Sequence, residues 1–321
     1  MRLGQHGEAV ADLQRRLDDG GLPVAPDAAG TFGAGTRAAL EAFQHLRGLR
    51  VDGVCGTESW GALVEAGFHL GDRFLYLRQP MLRGDDVADL QRRLSALGFD
   101  TGRVDGIFGP VTAGGLAEFQ RNLGLPVDGI LGGGTLRELK RVTPRTAGSE
   151  LISTVRDRER LRSAPRTLQG RRIAVGEEGG LDALVAAVVR RLSAGGAGAI
   201  PLHHPTGSVQ ASAANAAAVE VYVGLRLDPE RARCTAAYYA GYSTESPGGR
   251  RLAETLHTLV AAALGVTPTG AEGLSIPVLR ETRMTAVICE FGPPALVVER
   301  SAAVADAVVA ALQAWAATPL D

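Results

Sequence analysis

Two adjacent glutamates, Glu177 and Glu178, stand in the stretch RRIAVGEEGGLDAL (residues 171–184), where a short apolar strand breaks at Gly176 and a helix resumes after Gly179 and Gly180. A strand that stops and turns into a helix is a common place to build an active site, because loops at strand ends hold functional groups on a rigid frame. Carboxylates there can take a proton from water or hold a divalent cation. Glu290, in TAVICEFG, is a third carboxylate at the end of an apolar run. The imidazoles offer less. His203 and His204 are neighbours at a strand end, so their side chains tend to opposite faces and do not easily share one metal. They read as surface or loop histidines, and His257 as part of an amphipathic helix over 249–264.

The elements that must position these groups follow from hydrophobic patterning. Apolar runs at 172–175, 197–202, 219–225, 236–239 and 286–289 alternate with helical stretches at 181–194, 210–218, 249–264 and 299–316. Such alternation predicts an α/β domain over 171–318 with a largely parallel central sheet flanked by helices. The polar, arginine-rich segment 143–170 reads as a linker with one short helix, its charge run from Arg156 to Arg162 a solvated face. Thr143, Thr146, Ser149, Ser153 and Thr154 place accessible hydroxyls in it.

The first half is an internal repeat. VADLQRRL occurs at 10–17 and again at 87–94, and AFQHLRGLRVDGVCG is answered by EFQRNLGLPVDGILG. Leu13 corresponds to Leu90 and Phe43 to Phe119, offsets of 77 and 76 residues, so a single loop residue separates the two registers. Each copy predicts a compact all-α module of three helices, in domains 1–70 and 79–142. Asp105-Gly106 and Asp128-Gly129 are turn chemistry: glycine accepts positive φ and aspartate caps the neighbouring backbone.

Composition narrows the function classes. Thirty-four basic against 35 acidic residues give a net charge of −1, which supplies no electrostatic drive toward nucleic acid. The N-terminus has no apolar h-region, and no stretch approaches ~18 uninterrupted apolar residues, so a cytoplasmic location is expected. Cys55, Cys234 and Cys289 are odd in number and widely spaced, and they read as buried apolar residues.

The repeated pattern G-x-x-V-x-x-L-Q-x-x-L, F-G, T-x-x-x-L-x-x-F-Q and G-L-x-V-D-G-x-x-G, covering 3–67 and 81–142, resembles the peptidoglycan-binding module of bacterial and phage wall hydrolases. The resemblance implies binding of wall peptide or glycan, or of its precursors; small helical modules also serve as protein-docking surfaces. The first copy departs from the pattern, with PDAAGTFG where the second has VDGIFG.

From 171 to 316 the order of elements, with IPLHHPTG, SAANAA, VEVYVGLRLD and VLRETRMTAVICEFG, resembles the zinc-dependent N-acetylmuramoyl-L-alanine amidases of the Amidase_3 family, and the two-module architecture resembles the actinobacterial CwlM group. The amidase resemblance implies a zinc ion held by two histidines and a glutamate, an open position for water, and a second glutamate as general base. Here Ala174 and Val175 replace the Asp-Pro of the first turn, and Glu177 falls at the first histidine position. The loop that would separate histidine from glutamate is almost absent, so Glu178 can equally be the shifted remnant of the ligand glutamate, and Arg226 occupies the second histidine position. A guanidinium has no lone pair to give and repels a cation, so Arg226 is expected to pair with Glu177 or Glu178 and no metal or other cofactor is expected. Glu290 stands at the general-base position as a vestige, with Arg226 a candidate partner, and Pro293 and Pro294 replace the usual continuation. What the CwlM resemblance implies is a catalytically inactive regulator of peptidoglycan precursor synthesis, with the enolpyruvyl transferase of the first committed step and the lipid II flippase among its partners. The alternative is an active amidase, and only there does zinc enter.

Overall fold

The computed structural model describes residues 1–143, 152–242 and 244–320. Thr146 and Ser149 lie outside them, and so does the side chain of Ser153. Thr143 and Thr154 are half-buried, and the Thr143 hydroxyl donates to the Leu139 carbonyl at 2.6 Å. No helix among the described residues is long and apolar enough to cross a membrane.

The N-terminal unit holds the two modules. The first comprises α1 (Glu8–Asp19), α2 (Ala34–Leu46) and α3 (Thr57–Ala66), the second α4 (Asp85–Ala96), α5 (Pro110–Asn122) and α6 (Gly133–Val142). Apolar residues at helical spacing close each core: Val10, Leu13, Leu17, Leu40 and Phe43 in one, Val87, Leu90, Leu94, Leu116 and Phe119 in the other. Four buried glutamines fasten the turns. The Gln91 Nε2 donates to Asp105 Oδ1 (2.9 Å), the Ile107 carbonyl (3.1 Å) and the Thr112 hydroxyl (3.1 Å), while its Oε1 accepts the Asp105 and Gly106 amides. Gln44 and Gln120 hold the turns at Asp52-Gly53 and Asp128-Gly129 in the same way. Each of these three glycines has φ near +70°, the left-handed conformation that costs glycine little. In the divergent PDAAG turn, Gln14 binds Gly30 instead, and Asp27 is released to accept the amides of Gly33, Gly35 and Thr36 at the start of α2. Those bonds, led by Thr36, hold the Asp27 carboxyl below its usual range.

Helix α7 (Ile152–Ser163) follows. The second compact unit begins at Asp157, because Leu161 and Leu168, within the segment expected as linker, bury in its core. Its elements are β1 (Arg172–Glu177), α8 (Asp182–Ala194), β2 (Gly198–His203), α9 (Gly207–Ala216), β3 (Val221–Leu227), β4 (Cys234–Gly241), the short β5 (Thr244–Glu245), α10 (Pro247–Leu264), β6 (Pro268–Leu274), α11 (Pro277–Glu281), β7 (Thr285–Phe291), α12 (Pro294–Glu299) and α13 (Ser301–Ala317). The strands form one sheet in the order β2-β1-β3-β7-β4-β5, with β6 also on β4. β2, β1, β3 and β7 are mutually parallel, and β4 runs antiparallel to β7. Among the described residues β2 is the outermost strand on its side of the sheet, and it carries Pro201 opposite Val175.

Strand periodicity sorts the core into two layers. Val221, Val223 and Leu225 point to the side covered by α8, α10 and α13, where Trp315 is fully buried. Tyr222 and Ala174 point to the side covered by α9 and α11. The α/β architecture thus agrees with the patterning. β6, PTGAEGL, escapes it because its glycines and proline carry no strand propensity, and pairing with β4 holds it extended. The three cysteines are buried free thiols.

Candidate functional site

The connection β1-α8-β2 moves outward to the sheet edge and β2-α9-β3 returns to the other side of β1, so the chain reverses between β1 and β3. In open parallel sheets a crevice opens at that point, at the carboxyl ends of the strands. All four residues singled out from sequence lie at this end: Glu177 and Glu178 at the end of β1, Arg226 on β3 and Glu290 on β7, the last two facing each other in register.

β1 does not break at Gly176; it runs through to Glu177. The glycine is needed for close approach, since a Cβ there would lie 2.1 Å from Gln210 Oε1 and 2.5 Å from the Tyr222 hydroxyl. Buried Gln210 uses that space. Its Nε2 donates to the carbonyls of Glu177 (2.9 Å) and His204 (2.6 Å), and its Oε1 accepts the Tyr222 hydroxyl at 2.7 Å. Both strand ends are thereby tied to α9. Burial drives the Tyr222 pKa well above its ordinary value, so the phenol stays a neutral donor.

The two glutamates diverge. Glu178 is half-buried and forms an ion pair with the Arg226 guanidinium. Glu177 turns inward, 3% exposed, and its Oε2 accepts the amides of Gly179 (2.6 Å) and Leu181 (3.2 Å) where α8 begins. Its Oε1 lies 3.0 Å from His203 Nδ1, which is also 3.2 Å from Asp182 Oδ1. Burial pushes the Glu177 pKa up, but the hydrogen bonds from His203, Leu181 and Gly179 and the His203 charge outweigh it and hold the carboxyl below its ordinary value.

His203 is exposed at the strand end, as the sequence reading has it, yet its ring reaches the buried carboxylate. Parallel pairing of β1 with β2 sets Glu177 in register with His203, bringing an imidazole from the neighbouring strand to the buried carboxylate. His204 stays in its own loop, its Nδ1 accepting the Thr206 amide at 3.0 Å, and His257 stays on α10 against the Ala253 carbonyl. Glu177, Asp182 and His203 each offer one ligand atom, all within 4.8 Å of one another. The signals were a histidine at a strand end and an acid in the first turn of the preceding helix; only strand order joins them.

Glu290 accepts Arg233 Nη2 at 2.9 Å, a cation that the sequence reading did not single out. Arg233 Nε also donates to Asp228 Oδ2 at 2.5 Å, and Asp228 Oδ1 accepts the Glu230 and Arg231 amides, both at 3.0 Å. Burial opposes the ionised form of Asp228, yet these backbone and arginine bonds hold its pKa below the ordinary value. At this end of the sheet Glu177, Glu178, Asp228 and Glu290 each face a cationic or imidazole partner.

Comparison with known proteins relates both halves of the chain to wall-binding and amidase proteins. Residues 6–63 and 83–139 match the family described as putative peptidoglycan binding domain. The N-acetylmuramoyl-L-alanine amidase CwlM of Mycobacterium tuberculosis is 35% identical over 91% of this chain and 81% of its own length. The N-acetylmuramoyl-L-alanine amidase CwlL of Bacillus licheniformis is 31% identical over 44% of this chain and 45% of its own. Among solved structures, the amidase Ami1 of Mycobacterium smegmatis aligns with 47% of this chain and 98% of its own at 15% identity and a TM-score of 0.41. With two peptidoglycan-binding modules ahead of an amidase-like α/β domain, and with that extent of identity to CwlM, the chain belongs to the CwlM family of N-acetylmuramoyl-L-alanine amidase homologues.

Proposed function

We propose that this protein is a catalytically inactive, cytoplasmic amidase homologue that acts by binding and regulates peptidoglycan precursor synthesis. The observation that carries the reading is the ion pair between Arg226 and Glu178 in the crevice. Zinc does not fit the position that the amidase resemblance implies. The third ligand would be a guanidinium, which is permanently charged and has no lone pair, and the carboxylate beside it is already engaged. Without a metal to acidify water, Glu290 has little leverage on an amide, and Arg233 holds it as an ion-pair partner. The modules then serve to recognise peptidoglycan, its precursors or a docked protein. The partners expected from the resemblance are the enolpyruvyl transferase and the lipid II flippase.

A second reading, an active amidase, is favoured by Glu177, Asp182 and His203, whose two carboxylates and imidazole make a donor set suited to a divalent cation. The two readings separate in one pair of measurements. Purified protein equilibrated with zinc and dialysed is expected to release no stem peptide from muropeptides, and tagged protein is expected to retain a cytosolic wall-synthesis enzyme from lysate. Stem-peptide release that depends on zinc and disappears in His203→Ala would reverse the assignment.

A further inference from the structure

At the opposite end of the sheet, where β1, β3 and β7 begin, the α/β unit holds a cavity of about 360 Å³. Arg171 is one of its linings, with a side chain 4% exposed. Its Nε donates to the Thr167 carbonyl at 3.1 Å, its Nη2 to the Pro165 carbonyl, and its guanidinium lies 5.3 Å from the centre of the Trp315 ring. The carboxylate nearest to it, Glu220, is 3.8 Å away and 44% exposed, beyond hydrogen-bond length. A buried cation with so loose a counter-charge is poorly compensated.

Two more guanidiniums line the cavity. Arg160 and Arg283 are exposed, and among the described residues neither forms a side-chain ion pair. Three arginines thus face one carboxylate. The remaining wall is largely apolar, built from Leu161, Val219, Met284 and Trp315, and the half-open space it lines is larger than a bare oxyanion fills. The charge calls for an anion and the wall for a hydrocarbon body attached to it.

We propose that this cavity binds a small organic anion, a carboxylate or phosphate joined to an apolar group. The cavity is lined by none of the residues of the crevice at the other end of the sheet, so occupancy here does not depend on the fate of the zinc position.

Trp315 supplies the readout. The chain has two tryptophans, and Trp60→Phe in the full chain leaves Trp315 as sole reporter. Phenyl phosphate and benzoate are titrated against it, beside inorganic phosphate and benzyl alcohol. A saturable change in Trp315 emission is expected with at least one of the two organic anions; the tighter of them identifies the headgroup. Inorganic phosphate should bind more weakly and benzyl alcohol not at all. Arg160→Ala and Arg283→Ala, both at exposed positions, should each weaken binding about tenfold, the loss of one charge-assisted hydrogen bond. Ala164→Phe, which narrows the cavity without removing charge, should abolish it. No saturable response to either organic anion would overturn the proposal. So would affinities unchanged in both arginine variants, or inorganic phosphate binding as tightly as phenyl phosphate.

Discussion

Replacing Gln91 by leucine is expected to destabilise the second module by about 3–4 kcal/mol, far more than its modest change in volume suggests. Leucine fills the same space and leaves the helix intact, so the cost falls on hydrogen bonds. The Asp105 and Gly106 amides lose their acceptor, and the Ile107 carbonyl and Thr112 hydroxyl lose their donor, all around a buried side chain. Each polar group left buried without a partner costs about 1–3 kcal/mol, partly relieved where water enters the turn. Hydrogen exchange over residues 82–142 in the full chain is the appropriate measurement, because it isolates this module from the α/β unit. Protection should fall by two to three orders of magnitude on that estimate. Arg92→Ala, at a side chain 41% exposed on the same helix, should change it little. Equal effects of the two substitutions would show that the glutamine does not fasten the turn.

Glu177→Ala should cost the α/β unit about 2–4 kcal/mol at neutral pH, since it removes a buried carboxylate that two backbone amides and His203 engage. The effect carries a pH signature. The folded-state pKa of Glu177 lies below its ordinary 4.5, so its contribution is fully present above about pH 4.5 and is lost as pH falls through the folded value. Thermal unfolding of wild type and Glu177→Ala should therefore differ most at neutral pH and converge in acid. A gap that stays constant from neutral pH into the acid range would mean that the carboxylate's charge is not what stabilises the turn.

These two residues mark the limits of what sequence makes legible. The modules are readable because their determinants are local: Gln91 and the Asp-Gly turn it clamps lie within one module, and the Gln44 and Gln120 clamps on Asp-Gly turns recur in both copies. The α/β class is readable because buried strands alternate with amphipathic helices. The site is readable only in part. Glu177 and Glu178 were found by their place in the chain and Arg226 and the role of Glu290 through the amidase resemblance, and the Arg226–Glu178 pair follows from opposite charge on adjoining strands. His203 and Arg233 were missed because their roles come from pairing between segments distant in sequence. His203 meets Glu177 through strand register, 26 residues away, and Arg233 meets Glu290 across the sheet, 57 residues away. Gly176 shows the converse error: a glycine that reads as a break in a strand is there to admit Gln210 and Tyr222.

The proline on β2 has a consequence for the molecule among its neighbours. A parallel sheet ending in an uncovered strand offers a row of unpaired amides and carbonyls on which a foreign strand can add, the usual first step of edge-to-edge aggregation. Pro201 removes one donor from that row midway along a strand of six residues, and its ring obstructs regular pairing. Pro201 thus works against strand addition at β2, and Pro201→Val, conservative in size and better suited to a strand, should raise the tendency of the folded protein to self-associate, read by light scattering.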